Sequence, residues 1–103
     1  EKLKSIIKDC GKIAIAFSID GTGEMKNIGA ESIIIYYKIG GAWVVGYDLD
    51  RYDSGMSTKD DYYFGNELYY TGTPGKEYKV EVTVFAENSS GYDSRTRTFN
   101  VTA

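Results

Sequence analysis

The sequence predicts an all-β fold, an antiparallel β-sandwich of six or seven strands, on three observations. Apolar and polar residues alternate with period two in several segments, the mark of half-buried strands. Turn signals such as Asp20–Gly21, Gly40–Gly41, "GTPGKEY" and "NSSG" separate those segments. Ten tyrosines favour strands and twelve glycines favour the turns between them. The 103 residues fit one domain, large enough to bury a core without disulfide staples. A single proline, Pro74, excludes a Pro-rich linker or a collagen-like chain.

Residues 1–10, "EKLKSIIKDC", place Leu3, Ile6, Ile7 and Cys10 either on one helical face or on an edge strand. The all-β context favours the strand. Residues 11–103 read as one domain. In "GKIAIAFSID" (11–20), Ile13, Ile15, Phe17 and Ile19 alternate with smaller or polar residues, which gives a strand with one buried face. "DGTGEMKNIGA" is expected to be a long loop opened by Asp20–Gly21. "ESIIIYYKI" (31–39) is apolar on both faces, and Gly40–Gly41 suits a two-residue hairpin turn leading into "AWVVGYDL" (42–49). An acidic loop follows. "DYYFGNELYY" (61–70) is a tyrosine-rich strand with a kink expected at Gly65. "GTPGKEY" turns a corner. "EYKVEVTVFAEN" (77–88) then points Tyr78, Val80, Val82, Val84 and Ala86 inward, and "YDSRTRTFNVTA" closes the chain after "NSSG".

The run "PGKEYKVEVTVFAENSSG" resembles the proline–glycine corner and strand F of a fibronectin type III or immunoglobulin-like domain, and "IIIYYKIGGAWVV" resembles that family's tryptophan-bearing hairpin. Gly72 stands where the family usually carries leucine, and Phe17 where it usually carries tryptophan. The chain is also similar in overall pattern to small secreted or surface β-sandwich domains of Firmicutes with unassigned function. The resemblance implies an immunoglobulin-like sandwich in which Tyr78 is a structural corner, its hydroxyl bonding back to upstream backbone.

Composition narrows the function. A net charge of −3, from 12 basic and 15 acidic residues, speaks against a general nucleic-acid binder, which needs a basic face. One cysteine permits no intrachain disulfide and no thiolate metal cluster, and leaves Cys10 buried, free or paired between chains. With no histidine there is no His-based triad and no zinc–histidine site. No apolar run reaches the roughly 20 residues of a spanning helix, so membrane insertion is not expected. The chain begins at Glu1 without methionine, so any signal segment is expected upstream, and the expected location is extracellular or at the cell surface.

The densest cluster of possible ligands is "DLDRYDSG" (48–55). Asp48 and Asp50 fit the first and third positions of an EF-hand loop, but Tyr52, Asp53 and Lys59 occupy its fifth, sixth and twelfth. Asp48, Asp50 and Asp53 therefore remain candidates only for an irregular calcium cage, against the plainer reading of an acidic turn. "GTGEMK" lacks the third glycine and the helix of a dinucleotide loop. Asp61 and Glu67 are a possible carboxylate pair, with nothing to suggest a cleft around them.

Alternation turns Ile34, Tyr36 and Phe85 outward, and the fibronectin-like resemblance implies that their strands are neighbours, which would make them, joined by Trp43 or Val45, a candidate partner-contact patch. The rival is that another segment covers it. Tyr62, Tyr63, Tyr69 and Tyr70, with Tyr47, Tyr52 and Tyr92 near turns, are candidate stacking surfaces for sugar rings. Asn88-Ser89-Ser90 and Asn100-Val101-Thr102 match the glycosylation triplet, which matters only in a glycosylating pathway. Arg95 and Arg97 share a face with Phe99 and Val101, so either a bulge intervenes or the two arginines lie beyond the core edge. The expectation is a non-enzymatic extracellular or cell-surface module, without cofactor, that acts by protein–protein contact as an adhesion unit or spacer. The alternative is a carbohydrate-binding module that uses exposed tyrosines with calcium assistance.

Overall fold

The computed structural model describes residues 2–7 and 11–103, with side chains from Gly11 onward. Cys10, and with it the state of that thiol, lies outside the described residues. The fold is all-β and antiparallel. Its strands are β1 (Lys2–Ile7), β2 (Lys12–Ile39), β3 (Ala42–Asp50), β4 (Ser57–Thr71), β5 (Glu77–Asn88) and β6 (Gly91–Thr102). Among the described residues no helix is long and apolar enough to cross a membrane.

The architecture is organised by β2, which runs for 28 residues. Its first half pairs with β1 on one side, 13–18 against 2–7, and with β4 on the other, 12–20 against 63–71. Its second half pairs with β5, 27–37 against 78–87, and with β3, 32–39 against 42–50. β6 completes the β5 side in unbroken register.

The loop expected over residues 20–30 is therefore corrected: the segment is extended and paired. Met25, Ile28 and Ala30 are buried in the core, a pull that the glycine-rich sequence concealed. Register breaks between Asp20 and Met25 against β4, and between Ala30 and Ser32 against β5, bend β2 there, so that it passes from one set of neighbours to the other. Gly29 sits at this bend with φ 149°, and a Cβ at this position would run into the Met56 carbonyl and Ser57. The adjacent Ala30 N–H donates to that same Met56 carbonyl at 2.7 Å. β4 likewise begins earlier than expected, at Ser57.

The core draws on both halves of β2. Ile13, Ile15, Phe17 and Ile19 come from the first and Ile33 and Ile35 from the second, and they form one cluster with Val80, Val82 and Val84 of β5. Each such side chain contributes about 1.5–3 kcal/mol on full burial. Phe17 packs against Phe64 with ring centres 5.9 Å apart. Gly40 and Gly41 both have positive φ, 57° and 83°, which lets the β2–β3 hairpin close in two residues. Tyr78 is buried, and its hydroxyl accepts the Thr73 N–H at 2.7 Å. Gly72 leaves room for that ring, since a Cβ there would press on it. Arg95 and Arg97 are exposed and no register shift separates them from Phe99, so they lie beyond the edge of the core.

Candidate functional site

The "DLDRYDSG" stretch leaves β3 and turns back into β4. Its aspartates serve the backbone. The Asp53 carboxylate accepts the Asp50 N–H at 2.8 Å, and the Asp50 carboxylate accepts the Tyr52 N–H at 2.9 Å. The Asp50 carbonyl also accepts the Asp53 N–H. Asp48 lies back on β3, opposite Ile34. Asp48, Asp50 and Asp53 are thus not brought together around a common centre. Among the described residues no group of three or more acidic, His or Cys side chains is arranged to hold a metal ion.

What this turn delivers is Arg51. Its guanidinium forms a fork on Glu31, with Nη2 to Oε1 at 2.7 Å and Nε to Oε2 at 3.0 Å, and reaches Glu87 at 3.1 Å. The same group lies over Phe85, 4.0 Å from the ring centre. Tyr92 stacks on Phe85 from β6, with ring centres 5.9 Å apart, and its hydroxyl donates to Glu31 at 2.8 Å. Hydrogen bonds from Arg51 hold the Glu31 carboxyl below its usual range, and Glu31 in turn raises the Arg51 guanidinium above its own.

This cap corrects the expected contact patch. Phe85 does turn away from Val84, as alternation requires, but it is 0% exposed because Arg51 and Tyr92 cover it. Ile34 is half-buried and pairs with Glu81, four positions before Phe85 and so about 13 Å away along the strand. Ile34, Tyr36 and Phe85 therefore form no continuous surface. Arg51 was missed because its role depends on a distant turn. The available signal was a lone arginine among aspartates, opposite a sheet face that carries two glutamates.

Tyr36 does lie on an aromatic surface, in different company. Lys79 of β5 places its ammonium 4.6 Å from the Tyr36 ring centre and 5.3 Å from that of Trp43. Lys38 lies 5.2 Å from Trp43 and pairs with Glu77 at 3.3 Å. Val45, opposite Tyr36 on β3, is 54% exposed. Burial, followed by the nearby Glu81 charge, raises the Tyr36 hydroxyl above its ordinary value.

The tyrosines of β4 are dispersed. Tyr70 turns inward against Tyr78 and Tyr47. Tyr63 and Tyr69 turn outward but stand about 20 Å apart along the strand. Tyr69 donates to Glu67 and lies under Lys12. Tyr62 and Tyr52 are exposed singly. Asp61 and Glu67 are likewise about 20 Å apart along β4, well beyond the spacing of a working carboxylate pair. Asn88 uses its side-chain oxygen to accept the Ser90 and Gly91 N–H groups, whereas Asn100 is exposed on β6.

A concave region lies at the end of the molecule away from the β2–β3 turn. There the bend of β2 faces the β5–β6 hairpin across a cleft of about 360 Å³. Ile19, Met25 and Ala86 line it together with polar residues from both banks.

No protein-family model, no curated protein and no solved structure matches the chain.

Proposed function

We propose that this chain is a non-enzymatic module of a secreted or cell-surface protein, which acts by protein–protein contact through the face carrying Tyr36 and Trp43. We read its architecture as an immunoglobulin-like sandwich close to fibronectin type III. Three features support that reading: the pairing of β2 with β1 and β4 in its first half and with β3 and β5 in its second, the continuation of β5 into β6, and the buried Tyr78 whose hydroxyl accepts backbone at Thr73.

The observation that carries the functional reading is the sheet surface itself. Trp43 is the only tryptophan of the chain, and it lies half-buried beside Tyr36, under the ammonium groups of Lys38 and Lys79 and next to exposed Val45. Tryptophan and tyrosine dominate the energetic centres of protein interfaces, because they bury large rigid area at low entropic cost. Here a rigid sheet carries both in fixed positions, ringed by charge.

A photo-crosslinking residue placed at Val45 tests this on the surface of the native cell, with the same residue at Tyr62 as control. A defined adduct at Val45 that is absent at Tyr62 and lost on Trp43→Ala supports the reading. Adducts that form equally at both positions, or that survive Trp43→Ala, would refute it.

A further inference from the structure

We propose that the cleft between the bend of β2 and the β5–β6 hairpin binds a neutral pyranose ring. This goes beyond the protein-contact reading and uses the opposite end of the β2–β5 ladder, so the two stand or fall separately.

The size is right for a small ligand. At about 360 Å³ the cleft falls in the lower range of small-molecule sites, enough for one or two sugar rings. Its lining is divided by chemistry. Ile19 and Met25 are buried core residues that present apolar surface at the cleft, and Ala86 of β5 joins them. Such a floor suits the C–H face of a pyranose. The banks are polar: Asp20 and Thr22 on the β2 side, Ser90 and Ser94 with the Asp93–Arg95 pair on the hairpin side.

The charge pattern disfavours an anion and offers both donors and acceptors. Arg95 is 3.1 Å from Asp93 and is partly neutralised by it, while Asp20 faces from the other bank. A phosphate or carboxylate would meet two carboxylates for one guanidinium. A hydroxyl both donates and accepts, so it satisfies a carboxylate and a guanidinium at once. Hydroxyls around the ring can donate to Asp20 on one bank and accept from Arg95 on the other while the ring rests on the apolar floor. The same β6 arginine that lies beyond the core edge thereby gains a role.

The experiment is a ¹⁵N–¹H correlation titration of the whole chain with methyl α-glucopyranoside, α-mannopyranoside and α-galactopyranoside, each up to tens of millimolar. Saturable shifts confined to amides near Thr22, Ser90 and Arg95 are expected with at least one of them. Arg95→Ala and Asp20→Asn should each weaken that binding about tenfold and leave the rest of the spectrum unchanged, since both side chains are exposed. Matching trisaccharides that bind about tenfold tighter identify a glycan chain end, and equal binding identifies a free sugar. The absence of saturable shifts with all three pyranosides overturns the proposal. So do shifts centred on Tyr63 and Tyr69, which would move sugar binding to the tyrosines of β4.

Discussion

The guanidinium of Arg51 lies 4.0 Å from the centre of the Phe85 ring, closing over a side chain that strand alternation alone turns toward solvent. A cation on an aromatic face gains about 0.5–2 kcal/mol, depending on how far it is desolvated. Here the same cation is also fixed by two glutamates. Arg51→Ala is expected to destabilise the domain by about 2 kcal/mol, since it removes charge-assisted hydrogen bonds as well as the stack. Arg51→Lys should recover less than half of that, because an ammonium cannot form the fork on Glu31. Urea unfolding of the two variants checks this, and equal stability of lysine and arginine would contradict it.

Phe85 and Trp43 should separate sharply on truncation. Phe85→Ser removes a fully buried ring and is expected to cost at least about 3 kcal/mol. Trp43→Ala, on the half-buried outer face, should cost about 1 kcal/mol and leave the fold intact. Thermal unfolding followed by circular dichroism gives both values. If Phe85→Ser melts like the parent chain, the cap does not bury that ring in solution.

Acid should loosen the cap. Arg51 lowers the Glu31 carboxyl from its ordinary value of 4.5. A group depressed in the folded state stabilises it fully above its unfolded value and loses that contribution as pH falls through the folded one. Stability should therefore hold from neutrality to about pH 4.5 and decline below it. Glu31→Gln should lower stability at neutral pH and flatten the acid limb. Melting temperatures of both chains between pH 7 and pH 3 decide the matter, and parallel curves would show that Glu31 is not the group responsible.

The Tyr78 hydroxyl is a further point of leverage. Tyr78→Phe leaves the Thr73 N–H without its partner and should cost about 1–2 kcal/mol with no change of fold. An unaltered urea midpoint would mean that water replaces the hydroxyl without loss.

Gly29→Ala and Gly23→Ala form a matched pair on the bend of β2. A Cβ at Gly29 has no room and the backbone stands at positive φ, so a loss of about 2 kcal/mol or more is expected. A Cβ at Gly23 meets nothing within 4 Å, and its substitution should stay within about 0.5 kcal/mol of the parent. Comparable losses at both sites would point to a general need for flexibility rather than to the Met56 contact.

Much of the β pattern was legible because it is local. Alternation in 11–20 and 77–88 reports the core face, Ile13 to Ile19 and Tyr78 to Val84, and Gly40–Gly41 reports its own turn. The bend of β2 was not legible, because Met25, Ile28 and Ala30 are spaced irregularly among glycines and are held by β4 and β5, which lie far away in sequence. The fate of Phe85 was hidden for a related reason. Alternation fixes which face a side chain takes, and a residue from another turn decides whether that face is wet. The cleft combines two segments far apart in sequence, 19–25 and 86–95, and nothing in either one announces the other.

The 28-residue β2 has a consequence for how the domain comes apart. A single strand serves as spine to both groups of neighbours, so neither group retains its ladder once that strand is released. Protection against hydrogen exchange should therefore be nearly even along β2, from Ile13 to Ile35, and should collapse in one step with denaturant. A protease cut near Gly23 should abolish the fold, while one at the Gly40–Gly41 turn should leave two fragments that stay together. Separate exchange transitions for the two halves of β2 would show instead that the bend works as a hinge between two independently melting parts.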